Sequence, residues 1–166
     1  MAFSTFIGGL VLFSERRFRW HGTSFGVREV GYIFAYSGFI GVIIQAGLIG
    51  MLVKRLSEKN LVVIGFVTMA IGFGFLIEAR SLLPLTIAIT LVSLGSSVVR
   101  PCLTSLLTQN TPRERQGEAL GLMQSIMSIS QIAAPAISGL MIEHRLLGVW
   151  ATMMTVFSVV GFILSR

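Results

Sequence analysis

GYIFAYSGFIGVIIQAGLIGMLV, residues Gly31 to Val53, runs without a charged side chain and stops at Lys54-Arg55. A helix of that length, rising 1.5 Å per residue, covers about 34 Å, enough to cross a hydrocarbon core about 30 Å thick. Four further apolar runs follow: Leu61 to Ile77, Leu82 to Thr108, Ala119 to Ile142 and Leu146 to Ser165. Short polar segments separate them, among them Glu78-Ala-Arg80, Gln109 to Glu118 and Glu143-His-Arg145. Barrel strands would show as short alternating segments instead. The pattern predicts an all-α, polytopic transmembrane helix bundle with five full spans, at about 31–53, 61–77, 82–108, 119–142 and 146–165.

Upstream, Ala2 to Phe13 is apolar but only about 12 residues long, too short to span. This partial helix, 1–13, reads as the tail of a helix whose beginning is missing. Met1 opens onto it without a basic region, so no cleavable signal peptide is expected. Between this stub and the first full span lies a charged, turn-rich segment, Ser14 to Val30.

Composition agrees with the spans. Of 166 residues 54% are hydrophobic and 12% charged, with a mean hydropathy of +0.84. Soluble domains carry about 25% charged residues, so most of this surface must face a lipid bilayer. The net charge of +6 comes from cations clustered between apolar runs, which suits anionic headgroups better than nucleic acid. Orientation is not readable from charge. Lys54, Arg55, Lys59, Arg113, Arg115 and Arg166 would lie on one side, and Arg16, Arg17, Arg19, Arg28, Arg80 and Arg145 on the other, a tie under the positive-inside rule.

Catalysis has no candidate residues. The single cysteine, Cys102, excludes an internal disulfide, and His21 and His144 lack ligand spacing. Neither a metal nor a cofactor is expected. No Ser-His-Asp set or phosphate-cradling loop appears. The expectation is a protein that is not an enzyme.

The spans differ in polarity. Leu61 to Ile77 has Thr68 as its only hydrogen-bonding side chain, and Leu146 to Ser165 is nearly as plain, so both look lipid-facing. In Ala119 to Ile142, by contrast, Gly121, Gln124, Ser128, Gln131, Pro135 and Ser138 recur at steps of three and four, one face of a helix. Ser37, Gly41 and Gln45 repeat the idea in the first span, where Ala46 and Gly50 form another small pair. A buried amide needs a partner. Two readings stand: close helix packing through small residues, with Gly41, Gly121, Pro135 and Gly139 as packing or hinge positions, or a solute pathway lined by Gln45, Gln124 and Gln131.

Arg100 sits inside the third full span, past its middle, and Pro101 follows it. A cation there costs several kcal/mol unless it snorkels, and an intramembrane charge points to a functional site. Pro101 removes a backbone donor beside it. Arg100 is therefore either a fourth pathway residue or an interfacial anchor. All seven acidic residues are glutamates at span boundaries or in loops, so a proton-coupling carboxylate at mid-depth would have to lie elsewhere.

Gly50-Met-Leu-Val-Lys-Arg-Leu-Ser-Glu-Lys59 resembles the cytoplasmic loop motif of the major facilitator superfamily, Gly-x-Leu-x-x-Arg-x-Gly-x-Arg/Lys. Gly50, Leu52, Arg55 and Lys59 match. Ser57 replaces the second glycine, and Lys54 stands where the N-terminal copy of the motif carries an acid. Phe34 to Gly41 with Gln45 to Gly50, Gly95 to Leu103, Thr111 to Gly117 and Ala134 to Gly139 are similar to the eighth, tenth, post-tenth and eleventh segments of drug–proton antiporters of the tetracycline-exporter type. Arg100 is unexpected at its position in that family.

The resemblance implies one six-helix half of a major facilitator fold, the C-terminal one, with its first helix truncated. The stub is then the end of helix seven and the spans are helices eight to twelve, with nine and twelve peripheral and seven, eight, ten and eleven bordering the pathway. It implies a multi-pass protein of the cell (inner) membrane whose Gly50, Arg55 and Lys59 belong to a cytoplasmic gating loop. Its partners would be the bilayer, a small-molecule substrate and the missing N-terminal six-helix half. The implied function is alternating-access transport of a small solute, proton-coupled drug or metabolite efflux. The alternatives are a membrane scaffold or regulatory subunit, and a half-sized transporter that acts as a dimer.

Overall fold

The computed structural model describes residues 6, 9, 19–20, 23–24, 27–78, 81–143 and 147–165, and these form an all-α bundle. Most of the stub lies outside the described residues; Phe6 and Gly9 are helical. Arg19–Trp20 (β1) and Thr23–Ser24 (β2) make a two-residue antiparallel pair within the turn-rich segment. A ladder that short is a turn, not a spanning strand.

The helices are α1 (Val27–Ile43), α2 (Ile49–Leu56), α3 (Glu58–Glu78), α4 (Leu82–Gln109), α5 (Gln116–Glu143) and α6 (Leu147–Leu164). A π-helical turn, Ile44–Leu48, joins α1 to α2, so 28–56 is one continuous rod. Among the described residues four rods are long and apolar enough to cross a membrane: 28–56, 58–77, 82–109 and 113–141. The last helix is described over Leu147–Leu164, with an apolar stretch at 148–164, and the residues just before it lie outside the described set.

α1 begins before the apolar run because its first turn takes in charged residues. Arg28 lies 5.9 Å from the centre of the Tyr32 ring and its Nε donates to Tyr32 Oη at 3.3 Å. At the other end the rod stops at Ser57, whose φ of 59° and ψ of 154° fall in a region natural to glycine and strained for other residues. The loop motif that this segment resembles carries glycine at this place, the residue such a conformation favours. Ser57→Gly should raise the thermal midpoint in detergent, by relief of about 1 kcal/mol of backbone strain; an unchanged or lower midpoint would contradict the strain.

α4 is the centre of the bundle. It packs most extensively against α3, which in turn packs against α6, while α1 lies along its other flank. Lipid tails are as apolar as leucine, so close packing and hydrogen bonds must hold these helices together. Glycines supply the close packing. A Cβ at Gly95 would stand 2.5 Å from the Gly65 carbonyl oxygen and 2.6 Å from Met69 Cγ, so α3 and α4 meet backbone to backbone. The plain span α3 is therefore only half lipid-facing: Met69, Phe73 and Leu76 are buried, whereas Ile64, Val67, Ile71 and Phe75 are exposed. Phe6 joins this core with its ring edge-on to Phe73 at 5.7 Å.

α6 is tied to α5 by Trp150, whose Nε1 donates to Ser138 Oγ at 3.2 Å, both groups being buried. The start of α3 is tied to the end of α4 by Glu58, which accepts from Ser105 Oγ at 2.6 Å and from Gln109 Nε2 at 3.0 Å. Hydrogen bonds to a charged group are stronger than neutral ones.

Candidate functional site

An open groove of about 360 Å³ runs between α1 and α4. Ser37, Gly41 and Gln45 line it from one side, and Ser93, Ser97 and Arg100 from the other. Hydroxyl pairs close the two helices on each other, Ser37 with Ser93 at 2.6 Å and Tyr36 with Thr90 at 3.0 Å. Gly41 allows the approach: a Cβ there would lie 3.4 Å from Ser97 Oγ. Gln45 stands on the π-helical turn and is exposed. Ile49 N–H there bonds to the Ile44 carbonyl, the i→i+5 pattern of π-bulges, which are frequent at functional sites.

Arg100 is exposed and lies four to five residues past the middle of α4, about 7 Å from it along the axis. Pro101, inside the same helix, has no N–H to offer the Ser97 carbonyl one turn back. That carbonyl belongs to a residue of the groove. A second cavity, about 390 Å³, lies between α3, α4, α5 and α6. Arg100 and Ser96 line both spaces, so this stretch of α4 is the wall between them.

The structure thus brings Gln45 and Arg100 to one groove and keeps Gln124 and Gln131 out of both spaces. The two glutamines lie on an exposed part of α5. At 100° per residue, α5 has three faces. Ser130, Ala134 and Ser138 are buried against the bundle. Next to them run Gly121, Gln124, Ser128, Gln131 and Pro135, all exposed. Leu122, Ile129 and Leu140, on the third face, are also exposed. The last face suits lipid. The polar face needs water or a protein partner.

The remaining sequence candidates are placed more simply. A Cβ at Gly50, Gly121 or Gly139 would meet nothing within 4 Å, so none of the three seats a neighbouring helix within the described bundle. Pro135 is exposed and α5 continues through it. Arg55 and Lys59 are exposed on either side of the one-residue joint at Ser57. Among the described residues no cluster of His, Cys, Asp or Glu could hold a metal ion. Sequence reasoning missed Ser93, Ser96 and Ser97. Their spacing to Arg100, seven, four and three residues, puts them on its side of the helix and was the available signal.

Comparison with known proteins gives one consistent answer. The sequence profile described as Major Facilitator Superfamily matches residues 1–165. The chain is 30% identical over 128 residues to the class C tetracycline resistance protein of Escherichia coli, covering 76% of this chain and 31% of that protein. It is 27% identical over 139 residues to the class B protein of the same organism, covering 82% and 32%. It is 29% identical over 132 residues to multidrug resistance protein 2 of Bacillus subtilis, covering 80% and 32%. The matches thus span about a third of each relative's length. No solved structure matches.

Proposed function

The chain belongs to the Major Facilitator Superfamily, and from that premise we propose that it forms one side of an alternating-access pathway for a small drug-like solute. That it is a multi-pass integral membrane protein of a transport family follows from the family match and the long apolar helices. The proposal adds efflux, proton coupling, and completion of the machine by an N-terminal six-helix bundle. In such transporters the substrate site lies at the interface of two bundles, where irregular helix lines a cavity.

One observation carries the reading: Gln45 on a π-helical turn and Arg100 beside a helix proline face one polar groove between otherwise apolar rods. The exposed polar face of α5 supports it as the surface toward the second bundle. Gly50, Arg55 and Lys59 then belong to a cytoplasmic gate, hinged at Ser57. The relatives' names speak of tetracycline and multidrug resistance; a cognate solute of that class is the first to try. The test is flux in proteoliposomes holding the chain joined to a six-helix N-terminal half, driven by a pH gradient. Gln45→Leu should lower flux at least about fivefold by removing a hydrogen-bonding group from the path. Equal flux at equal reconstitution would contradict the pathway.

A further inference from the structure

The cavity between α3, α4, α5 and α6 is apolar except at one point. Phe66, Met69, Met127 and Phe157 are among its walls, and Arg100 is its cation. Its two hydroxyls are already committed to their own helices: Ser96 Oγ donates to the Ser93 carbonyl at 3.2 Å and Ser130 Oγ to the Ile126 carbonyl at 2.9 Å. Among the described residues that line it none is a carboxylate.

We propose that this cavity binds small amphipathic organic monoanions, with the acidic head on the Arg100 guanidinium and the apolar body among the Phe66, Met69, Met127 and Phe157 side chains. The inference rests on the pathway reading above and narrows it to a charge class of substrate. Three features favour such a ligand. A guanidinium carries five donors in a planar fork that matches a carboxylate, so a carboxylate can be added to whatever else Arg100 holds. A cavity of about 390 Å³ falls in the range of small-molecule sites, which are mostly apolar with a few placed polar groups. Methionine and phenylalanine walls adapt to varied apolar bodies. Because Arg100 also faces the α1–α4 groove, a head group held there is reachable from the polar side.

The test is photolabelling of the full chain in phosphatidylcholine nanodiscs with three benzophenones of one shape. These are benzophenone-4-carboxylate, its methyl ester, and the 4-(trimethylammoniomethyl) cation. Adduct on Met69 and Met127 is read by peptide mass spectrometry. The carboxylate should label these two at least about tenfold more than the ester or the cation, as a charge-assisted hydrogen bond implies. Arg100→Gln should bring the carboxylate down to the level of the ester, while Arg100→Lys should keep most of the preference. In case Arg100→Gln does not fold, Met127→Trp fills the apolar wall with the charge untouched, and adduct on Met69 should fall with it. Equal labelling by the three probes, a full anion preference in Arg100→Gln, or undiminished carboxylate adduct on Met69 in Met127→Trp would overturn the proposal. The readout needs no flux, so a failure of transport and a failure of this site are separate results.

Discussion

Gly95→Leu should be inserted into the membrane but fail to hold the bundle together. The added side chain has to occupy space where a Cβ alone would stand 2.5 Å from the Gly65 carbonyl oxygen and 2.6 Å from Met69 Cγ. The first of these is backbone and cannot step aside without moving α3. Overpacking a well-filled core costs about 1–3 kcal/mol even where side chains yield, so about 3 kcal/mol or more is expected here. The α3–α4 contact is the most extensive among the described residues, and α6 packs on α3, so loosening it also parts α6 from α4. Thermal unfolding in detergent checks this, with Gly74→Leu as the comparison, since a Cβ at Gly74 meets nothing within 4 Å. A Gly95→Leu protein as stable as Gly74→Leu would mean that the two helices are not in backbone contact.

Arg100→Ala should reduce solute flux in the complete transporter at least about tenfold at normal expression. The expectation follows from the place of the guanidinium on the wall shared by the α1–α4 groove and the cavity between α3, α4, α5 and α6. Loss of a charge-assisted hydrogen bond to solute amounts to about 1.5–3 kcal/mol, which is a factor of about ten to a hundred. An anchoring role predicts otherwise. If Arg100 only snorkels to the interface, the alanine variant would insert less well but transport normally per molecule. Arg100→Lys separates charge from shape, because lysine keeps the first and loses the planar fork.

Long-range chemistry was written in the chain to very different degrees. The spans were legible because length and apolarity are local properties, and Ser37, Gly41 and Gln45 were found together because helical spacing alone places them on one side. Gln45 nevertheless stands on a turn of unusual winding that no proline announces. Glu58 looked like an ordinary boundary charge. Its partners, Ser105 and Gln109, are 47 and 51 residues away, and only tertiary structure pairs them. The plain appearance of Leu61 to Ile77 concealed the seat at Gly65, since a glycine that admits a neighbouring backbone looks the same as one that faces lipid. In α5 the polar stripe was legible as a stripe. The sequence could not say that most of it would be left exposed, because that depends on what lies outside this bundle.

α5 also offers the most direct test of the whole scheme. Ile129 and Gln131 lie within one turn of each other, so they sit at nearly the same depth, but point about 200° apart; both are exposed. In a Cys102→Ser background, Ile129→Cys and Gln131→Cys can be compared in membranes of the complete transporter for reaction with a charged, membrane-impermeant methanethiosulfonate. The reacting species is the thiolate, which forms in water and not in hydrocarbon. A wet polar side bordering the pathway and a lipid-facing apolar side predict that Gln131→Cys reacts at least about tenfold faster and that solute slows it. Equal rates at the two positions, with solute making no difference, would mean that α5 borders no pathway.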